Sequence, residues 1–374
     1  MEDNKHIYFL VGIKLPQDDP KIVEESMREL EGLVKTAGGI VAGSVIQNRK
    51  VIDATYYIGK GKLEEIDLLF DKTEDQKAAV VFNMSLSPSQ SRNIEEILEC
   101  RVITRTELIL DIFAIHAQSK VAKLQIETAQ LSYLLPRLMG QGASMSRSGG
   151  GIGTRGPGET KLETDKRKIN DRILVLKKEL KQLEHSSEEK RKSRQFVFKV
   201  AIAGYTNAGK SSLASRLVGD KLLAEDKLFS TVDTTTRQLK LGGIPAVLTD
   251  TVGFIRDIPH EIVESFKSTL AETAYADLVL HAVDASSEFY LDKIQTANDL
   301  MDEMDIKSPI QLVFNKIDLL DNEVLVNLKV KFPKAIFLSA KSEDGIDILK
   351  ELLHKEAIKF LKKNGQEIPS WMNY

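Results

Sequence analysis

The chain has 374 residues, of which 42% are apolar and 29% are charged, and its formal net charge is −3. This length predicts two or three domains rather than one. No apolar run approaches the length that crosses a bilayer, the first residues lack the basic start of a signal peptide, and a single cysteine, Cys100, excludes internal disulfides. We therefore expect a monomer of the cytosol with no membrane span, with peripheral membrane association left open.

Residues 1–115 are predicted to form an N-terminal α/β domain with a largely parallel sheet, because strands alternate with helices. The predicted strands are Ile7–Ile13, Ile40–Gln47, Ala54–Ile58, Ala78–Asn83 and Cys100–Thr104, and the predicted helices are Lys21–Thr36, Leu63–Phe70 and Ser89–Leu98. The segment Gly59-Lys60-Gly61-Lys62 could contact phosphate. It lacks the longer pattern of a phosphate loop, however, which favours a turn before a helix.

Residues 116–195 show a different pattern, typical of long helices. Apolar residues recur at spacings of three and four from Ala117 to Leu138 and again from about Glu159 to Arg194. Two such stripes of similar reach predict an antiparallel helical hairpin packed as a coiled coil, because neither stripe has another obvious partner. The alternative is a pair of unrelated linker helices.

The segment between these helices, Gly140–Lys161, is rich in glycine and serine. By composition it is a flexible spacer, and most segments of this kind are only that. Residues 117–194 also carry 17 Lys and Arg against 9 Asp and Glu, which indicates either a solvated helix face or contact with phosphates. A linker between paired helices has no distance to span, so Arg147 and Arg155 in a glycine loop favour contact with folded RNA.

The next segment matches the phosphate-loop pattern, with an apolar run of strand length before it and a helix start after it. Its residues are Gly204, Tyr205, Thr206, Asn207, Ala208, Gly209, Lys210 and Ser211. The glycines let backbone N–H groups approach phosphate oxygens. Lys210 supplies a positive charge to the terminal phosphates, and the Ser211 hydroxyl is a suitable ligand for Mg²⁺.

Three later segments, each at the end of a predicted strand, indicate which nucleotide binds. They are Asp250-Thr251-Val252-Gly253, Asn315-Lys316-Ile317-Asp318 and Ser339-Ala340-Lys341. Asp250 can hold Mg²⁺ through water, and the Gly253 N–H can meet the γ-phosphate. The Asp318 carboxylate can accept two hydrogen bonds from guanine, whereas adenine would leave it unpaired. The backbone of the third segment could support the base, so GTP is the expected substrate.

These motifs resemble those of the translation-factor-like GTPases, and the chain as a whole resembles the HflX GTPases. The second resemblance depends on the glycine loop Gly149–Thr160, its continuation Lys161–Asp165, the segment Asp250–Phe254 and the segment Tyr57–Lys62. It implies an α/β protein in which a P-loop GTPase domain at residues 196–364 follows the N-terminal domain and the hairpin. A short tail at residues 365–374 completes the chain.

The resemblance also implies a function. A member of this family hydrolyses GTP to GDP and phosphate, binds the large (50S) ribosomal subunit with the hairpin directed to its rRNA, and separates ribosomes that stall under stress. Some members are reported to bind ATP through the N-terminal domain, but this sequence shows no second nucleotide motif strong enough to support that.

The first switch segment is expected to contact the nucleotide and comprises Phe229, Ser230, Thr231, Val232 and Asp233. Family members often continue with Asp-Pro-Thr, whereas this chain continues with Thr234-Thr235-Thr236, so several hydroxyls compete for Mg²⁺. Similarity to the family sequence Phe-Ala-Thr-Leu-Asp identifies Thr231 as the hydroxyl that joins Ser211 on the metal.

Catalysis is expected to depend on Lys210, Thr231 and Gly253. Phe254 follows Gly253, where many GTPases place a glutamine that orients the attacking water. An apolar side chain cannot do this, so intrinsic turnover should be slow. Two sources of help remain open: K⁺ coordinated by Asn207, or ordering of the switch segments by the ribosome.

Three hypotheses of function follow. The first is a GTP-switched factor that splits ribosomes, and the second is a GTPase that assists ribosome assembly without splitting intact particles. The third is a regulator of a protein partner, in which the hairpin binds protein rather than RNA.

Overall fold

The computed structural model describes residues 6–70, 78–145, 157–192, 196–220, 228–229, 231, 233–257 and 273–365. The chain divides into two compact units. The first contains Met1–Ile115, Lys123–Lys181 and Asp257–Ser265, and the second contains His116–Ala122, Gln182–Arg256 and Phe266–Tyr374. Each unit has its own sheet and its own apolar core.

Four parallel strands form the sheet of the first unit. They are β1 (Ile7–Lys14), β2 (Ile40–Asn48), β3 (Ala78–Phe82) and β4 (Arg101–Thr104), in the order β2-β1-β3-β4. The central strands β1 and β3 are almost continuously apolar and buried, as expected where both faces of a parallel sheet are covered. The accompanying helices are α1 (Pro20–Thr36), α2 (Lys60–Leu69), α3 (Pro88–Leu98) and α4 (Arg105–His116).

Helix α1 begins where its sequence indicates. The side chain of Asp19 accepts a hydrogen bond of 2.8 Å from the backbone N–H of Lys21, and Pro20 occupies the first helical position. Asp19 therefore stabilises the start of the helix by pairing an N–H group that has no partner within the helix.

One predicted strand, Ala54–Ile58, is wrong. The backbone N–H groups of Asp53 and Tyr57 donate to each other's carbonyl oxygens, and an Asp53 carboxylate oxygen accepts from Thr55 and Tyr56 over 2.8 and 2.9 Å. Tyr57 has a φ of +68°. The Asp53 side chain thus closes a local turn, and this competes with pairing into the sheet. The sequence pattern also gave no indication of helix α4.

Two long helices cover most of the segments where helices were predicted after residue 116, and both extend into Gly140–Lys161, which was predicted to be a linker. They are α5 (Lys120–Met145) and α6 (Pro157–Lys192). Side chains of the predicted apolar stripes are buried on both, at Leu124 and Thr128 on α5 and at Ile173, Leu176 and Leu180 on α6. Arg172 donates two hydrogen bonds to the Glu127 carboxylate, of 2.7 and 3.0 Å. Residues 146–156, with Arg147 and Arg155, lie outside the described residues.

Six strands form the sheet of the second unit. They are β5 (Phe198–Gly204), β6 (Thr235–Leu241), β7 (Ile244–Asp250), β8 (Leu278–Asp284), β9 (Ile310–Asn315) and β10 (Ile336–Phe337), in the order β10-β9-β8-β5-β7-β6. Only β6 is antiparallel to its neighbour within this sheet. The described helices are α7 (Lys210–Val218), α8 (Tyr290–Glu303), α9 (Asn322–Lys331) and α10 (Ile346–Lys363), with a short 3₁₀ helix at Ile317–Leu319.

This topology brings the sequence motifs together. Because β5, β7, β9 and β10 are parallel, their carboxyl ends lie at the same edge of the sheet, and each is followed by one of the four predicted nucleotide segments. None of the helices in the described part of the chain combines the length and apolar character needed to cross a membrane.

Candidate functional site

The loop between β5 and α7 has a backbone that few residue types tolerate. Gly204 has a φ of +144°, and a Cβ atom there would collide with the carbonyl oxygen of Ala282. Gly209 has a φ of +79°, and a Cβ atom there would collide with the side-chain amide of Asn315. Asn207, which is exposed, has a φ of +59°, a conformation that asparagine adopts more readily than most residues. The two glycines of the motif are therefore required by the local geometry.

Lys210 is buried at the start of α7. Its Nζ donates a hydrogen bond of 2.8 Å to the carbonyl oxygen of Tyr205. Burial lowers the pKa of the Lys210 ammonium to about 8, and the negative charge of Asp250 opposes this effect. An ammonium that has lost its water in this way interacts more favourably with an incoming anion, so this position suits a phosphate group.

Three oxygen-bearing side chains meet next to this lysine. Ser211 Oγ lies 2.7 Å from Thr231 Oγ1, and Thr231 Oγ1 donates to Asp250 Oδ2 over 3.3 Å. The other carboxylate oxygen of Asp250, Oδ1, is buried without a hydrogen-bond partner. Burial raises the pKa of Asp250, while a hydrogen bond from Ser211 and the charge of Lys210 oppose the rise.

This group of atoms fits Mg²⁺. Hydroxyl and carboxylate oxygens are the ligands that Mg²⁺ accepts, and a metal-bound water would give Asp250 Oδ1 the partner that it lacks. No group of three or more His, Cys, Asp and Glu side chains able to hold a metal occurs among the residues that the structure describes. Ser211, Thr231 and Asp250 are thus the residues that suit a hard cation at this edge of the sheet.

Gly253 and Phe254 are joined to the phosphate loop through the backbone. Phe254 N–H donates to the Gly204 carbonyl over 3.0 Å, and Thr206 N–H donates to the Phe254 carbonyl over 2.7 Å. A Cβ atom at Gly253 would lie 2.8 Å from Thr206 Cγ2 and 2.9 Å from Lys210 Nζ. A larger residue at position 253 would therefore force these neighbours or the segment itself to shift. The Phe254 side chain is buried, so it does not reach out to orient a water molecule.

The segment after β9 connects two neighbouring loops. Asn315 is buried, and its amide donates to the Ala208 carbonyl over 3.0 Å, while its side-chain oxygen accepts from Ala340 N–H over 3.0 Å. Lys316 has a φ of +65°, and its Nζ lies 2.7 Å from an oxygen of Asp284. Ile317 is half-buried, whereas the Asp318 carboxylate is exposed and accessible to a base.

The third segment is a tight turn held by Ser339. The buried Ser339 Oγ accepts hydrogen bonds from the N–H groups of Lys341 and Ser342 over 3.2 and 3.0 Å. Arg216 of α7 donates to the Ala340 carbonyl over 2.9 Å and pairs with Glu343 at 2.5 Å. The helix after the phosphate loop therefore also positions the turn behind the predicted base site.

The predicted switch residues are only partly covered by the structure. Ser230 and Val232 lie outside the described residues, whereas Phe229 is buried and Thr231 lies against Ser211. The Asp233 carboxylate, which was expected near the nucleotide, instead accepts hydrogen bonds from Gln118 and Ser119. Thr251 and Val252 are both buried, and the Thr251 hydroxyl donates a hydrogen bond of 2.7 Å to the carbonyl oxygen of Ile202.

Sequence reasoning missed three side chains that support the site. Arg216 and Asp284 hold the two loops near the predicted base site. His281 lies buried on β8, where burial and then the charge of Lys210 lower its pKa to about 4. An apolar strand with one histidine gives no local signal for such a position, since its neighbours come from other strands.

A glycine-rich phosphate loop, a carboxylate beside its serine and an Asn-Lys-Ile-Asp segment at one edge of a mostly parallel sheet define the class: a P-loop GTPase. The chain is 45% identical to the GTPase HflX of Caldanaerobacter subterraneus subsp. tengcongensis, over 96% of this chain and 82% of that protein. It is 41% identical to the GTPase HflX of Escherichia coli, over 92% and 81% of the two chains. The chain belongs to the HflX family and is a GTPase.

Family models and solved structures agree with this assignment. Residues 24–114 match the GTP-binding GTPase N-terminal model, residues 116–194 the GTP-binding GTPase Middle Region, and residues 199–316 the 50S ribosome-binding GTPase model. The crystal structure of the SsGBP and GDP complex is 26% identical, with a TM-score of 0.53, over 95% of this chain and 99% of that one. A GTP-binding protein from Sulfolobus solfataricus in complex with GDP is 25% identical, with a TM-score of 0.51 over the same shares.

Proposed function

We propose that this GTPase binds the large ribosomal subunit in its GTP form, dissociates stalled ribosomes, and is released when GTP is hydrolysed. The observation that best supports this is the match of residues 199–316 to the 50S ribosome-binding GTPase model, directly after a middle region with a large excess of positive charge. Positive charge on an otherwise acidic chain suits a partner rich in phosphate.

The nucleotide site suggests how GTP is held. The backbone N–H groups of residues 204–211 and the Lys210 ammonium bind the phosphates, and the exposed Asp318 carboxylate accepts the two donors of guanine. Ser211 and Thr231 would hold Mg²⁺, and Asp250 would contact it through water. The metal, when bound, neutralises charge that develops on the transferring phosphoryl group.

The same site suggests slow intrinsic hydrolysis. Gly253 N–H meets the γ-phosphate. The backbone of Phe254 is bound to the phosphate loop by two hydrogen bonds, and its buried apolar side chain offers the attacking water no polar group. Turnover therefore depends on help from the ribosome or from K⁺ held by the exposed Asn207. Equal hydrolysis rates in K⁺ and Na⁺ would remove Asn207 from the mechanism.

The domain division predicted from the sequence forms part of the proposal: an N-terminal α/β domain at 1–115, a helical hairpin at 116–195, a GTP-binding domain at 196–364 and a tail at 365–374. The bidentate pair Arg172–Glu127 and the buried faces of α5 and α6 support a hairpin of two helices. We further propose that the protein works as a monomer in the cytosol.

Sedimentation of intact ribosomes with the protein tests the proposed function. With GTP or its non-hydrolysable analogue, we expect loss of intact ribosomes and accumulation of the protein on the large subunit, but no loss with GDP. The variant Thr231→Ala should behave with GTP as the native protein does with GDP. Enrichment on precursor particles without splitting would support a role in assembly instead, and no ribosomal association would favour a protein partner.

A second variant tests the hairpin. Replacing Arg147 and Arg155 with Gln should leave GTP affinity unchanged but weaken ribosome binding, and the loss should be largest at low salt, because a variant with fewer phosphate contacts has a weaker salt dependence. Normal ribosome binding at physiological salt would contradict RNA contact by the glycine loop.

A further inference from the structure

The Asp233 carboxylate makes three hydrogen bonds to the start of helix α5. Asp233 Oδ2 accepts from the backbone N–H of Gln118 over 2.7 Å and from that of Ser119 over 3.1 Å. Asp233 Oδ1 accepts from the Ser119 hydroxyl. Residues 116–122 and 233 belong to the same compact unit. Both carboxylate oxygens thus accept hydrogen bonds from residues that lie more than a hundred positions earlier in the chain.

Ser119 in turn stabilises the first turn of α5. Its Oγ accepts a hydrogen bond of 3.1 Å from Ala122 N–H, while its hydroxyl hydrogen is donated to Asp233. Ser119 therefore acts as an N-cap, and the negative charge of Asp233 lies where the positive end of the helix dipole favours an anion. The start of α5 depends on a side chain of the switch segment.

Asp233 lies two residues after Thr231, whose hydroxyl contacts Ser211 and Asp250. Extended backbone spans at most about 7 Å over two residues, so fixing residue 233 strongly limits where the Thr231 hydroxyl can lie. Closing a short chain between two fixed points costs little conformational entropy compared with ordering a free loop. The contact with α5 therefore favours the arrangement in which Thr231 reaches the proposed metal site.

We propose that Asp233 is a positioning residue for GTP hydrolysis: by binding Gln118 and Ser119 it holds Thr231 in place, and reciprocally the GTP form stabilises the first turn of α5. This rests on the proposed role of Thr231 as a metal ligand, and it goes beyond the expectation that Asp233 contacts the nucleotide. The coupling is reciprocal, because any state that fixes the switch segment must also favour the bonds that Asp233 makes.

Single-turnover GTP hydrolysis without ribosomes tests the first half of the proposal. Asp233→Ala should lower the rate constant for hydrolysis about tenfold and change GDP affinity by no more than about twofold, while GTP affinity falls by the same factor by which GTP slows amide exchange at the start of α5 relative to GDP. Asp233→Asn keeps one acceptor for the backbone N–H groups and should recover part of the rate. Asp19→Ala removes a helix-capping carboxylate at α1 and serves as the matched control, with no change expected.

Amide hydrogen exchange tests the second half. In the native protein, exchange at Gln118, Ser119 and Ala122 should be slower with the non-hydrolysable GTP analogue than with GDP, and Asp233→Ala should speed it about tenfold and remove the nucleotide dependence. If Asp233→Ala does not fold, Ser119→Ala tests the same contact from the other side. Faster exchange with an unchanged hydrolysis rate would make Asp233 a structural cap only, and a slower rate with unchanged exchange would place it directly on the nucleotide; either result overturns the proposal.

The double variant Thr231→Ala/Asp233→Ala separates this inference from the proposed function. Because Asp233 acts through Thr231, adding Asp233→Ala to Thr231→Ala should cause no further fall in the hydrolysis rate. A further tenfold fall would overturn the inference. None of these measurements uses ribosomes, so their outcome does not depend on whether the ribosomal proposal holds.

Discussion

The side-chain amide of Asn315 donates a hydrogen bond of 3.0 Å to the carbonyl oxygen of Ala208, which joins the loop after β9 to the phosphate loop. The side-chain oxygen of Asn315 accepts from Lys316 N–H over 2.8 Å and from Ala340 N–H over 3.0 Å. One buried side chain thus satisfies groups on three loops. Its role is to hold the loops together, whereas the Asp318 carboxylate is exposed.

Asn315→Ala should therefore destabilise the second unit as well as weaken nucleotide binding. The change leaves Ala208 and Ala340 without their partners in a buried setting, at a cost of about 2–4 kcal/mol in the free energy of unfolding. Denaturant unfolding without nucleotide measures this loss directly. A stability equal to that of the native protein would show that the three loops hold their positions without Asn315.

Asp318→Asn should change nucleotide preference without changing stability, because the carboxylate is exposed. Guanine would lose a charged acceptor for its two donors, whereas xanthine offers a carbonyl oxygen where guanine has its amino group and can accept from the new amide. We expect GTP affinity to fall at least about a hundredfold and xanthosine triphosphate to bind more tightly than GTP. Calorimetric titration with both nucleotides checks this, and an unaltered purine preference would refute the assignment of the base site.

The convergence of the four predicted nucleotide segments at one sheet edge could be anticipated from the sequence for a local reason. The two glycines of the phosphate loop have positive φ values that the motif itself specifies, and parallel strands deliver the later motifs to one edge. Such information is contained in short continuous segments. The structure accordingly brings Gly253 close to Thr206 and Lys210 of the phosphate loop.

Contacts between distant segments could not be predicted in the same way. Asp233 was placed in the nucleotide segment because its neighbours are there, but its carboxylate binds residues 118 and 119. Ala54–Ile58 has the composition of a strand, yet the Asp53 side chain closes a turn around it. In both cases the outcome depends on which backbone N–H groups, local or distant, donate to one aspartate carboxylate. The periodicity of apolar residues carries no information about these hydrogen bonds.

Nucleotide affinity should fall with rising pH because of Lys210. Its pKa is about 8 in the free protein, and bound phosphates raise it, so above pH 8 binding requires uptake of a proton. Affinity for GDP should be constant below about pH 7.5 and should decline above pH 8, by at most tenfold per pH unit. Calorimetry in buffers of different ionisation enthalpy should detect the proton uptake.

Lys210→Arg is the control for this effect, since the guanidinium stays charged throughout the range. Titration of the guanine base affects both proteins equally. The difference between the two proteins in how steeply GDP affinity falls with pH therefore reports on Lys210 alone. Identical slopes in the two proteins would mean that the lysine is already fully charged above pH 8.

His281 should make the second unit sensitive to mild acid. Its pKa is about 4 in the folded protein and about 6.5 when unfolded, so between these values the unfolded chain binds more protons and stability falls as the pH is lowered. The loss should reach about 3 kcal/mol near pH 4. His281→Gln should remove that part of the pH dependence, whereas His354→Gln on α10 should retain it. Unfolding measured at pH 7.5 and pH 5 distinguishes the variants, and parallel curves for all three proteins would contradict the prediction.

Gly253→Ala should separate the binding of GTP from that of GDP. The added Cβ atom would lie 2.8 Å from Thr206 Cγ2 and 2.9 Å from Lys210 Nζ, so the segment after β7 must move away from the phosphate loop. Such a shift withdraws the Gly253 N–H from the γ-phosphate but leaves the loop that holds the other two phosphates. We expect affinity for the non-hydrolysable GTP analogue to fall about tenfold or more and GDP affinity to change by less than about threefold.

Gly61→Ala, where a Cβ atom meets nothing within 4 Å, is the matched control and should alter neither affinity. Tight binding of the GTP analogue by Gly253→Ala would show that this backbone N–H does not sense the third phosphate.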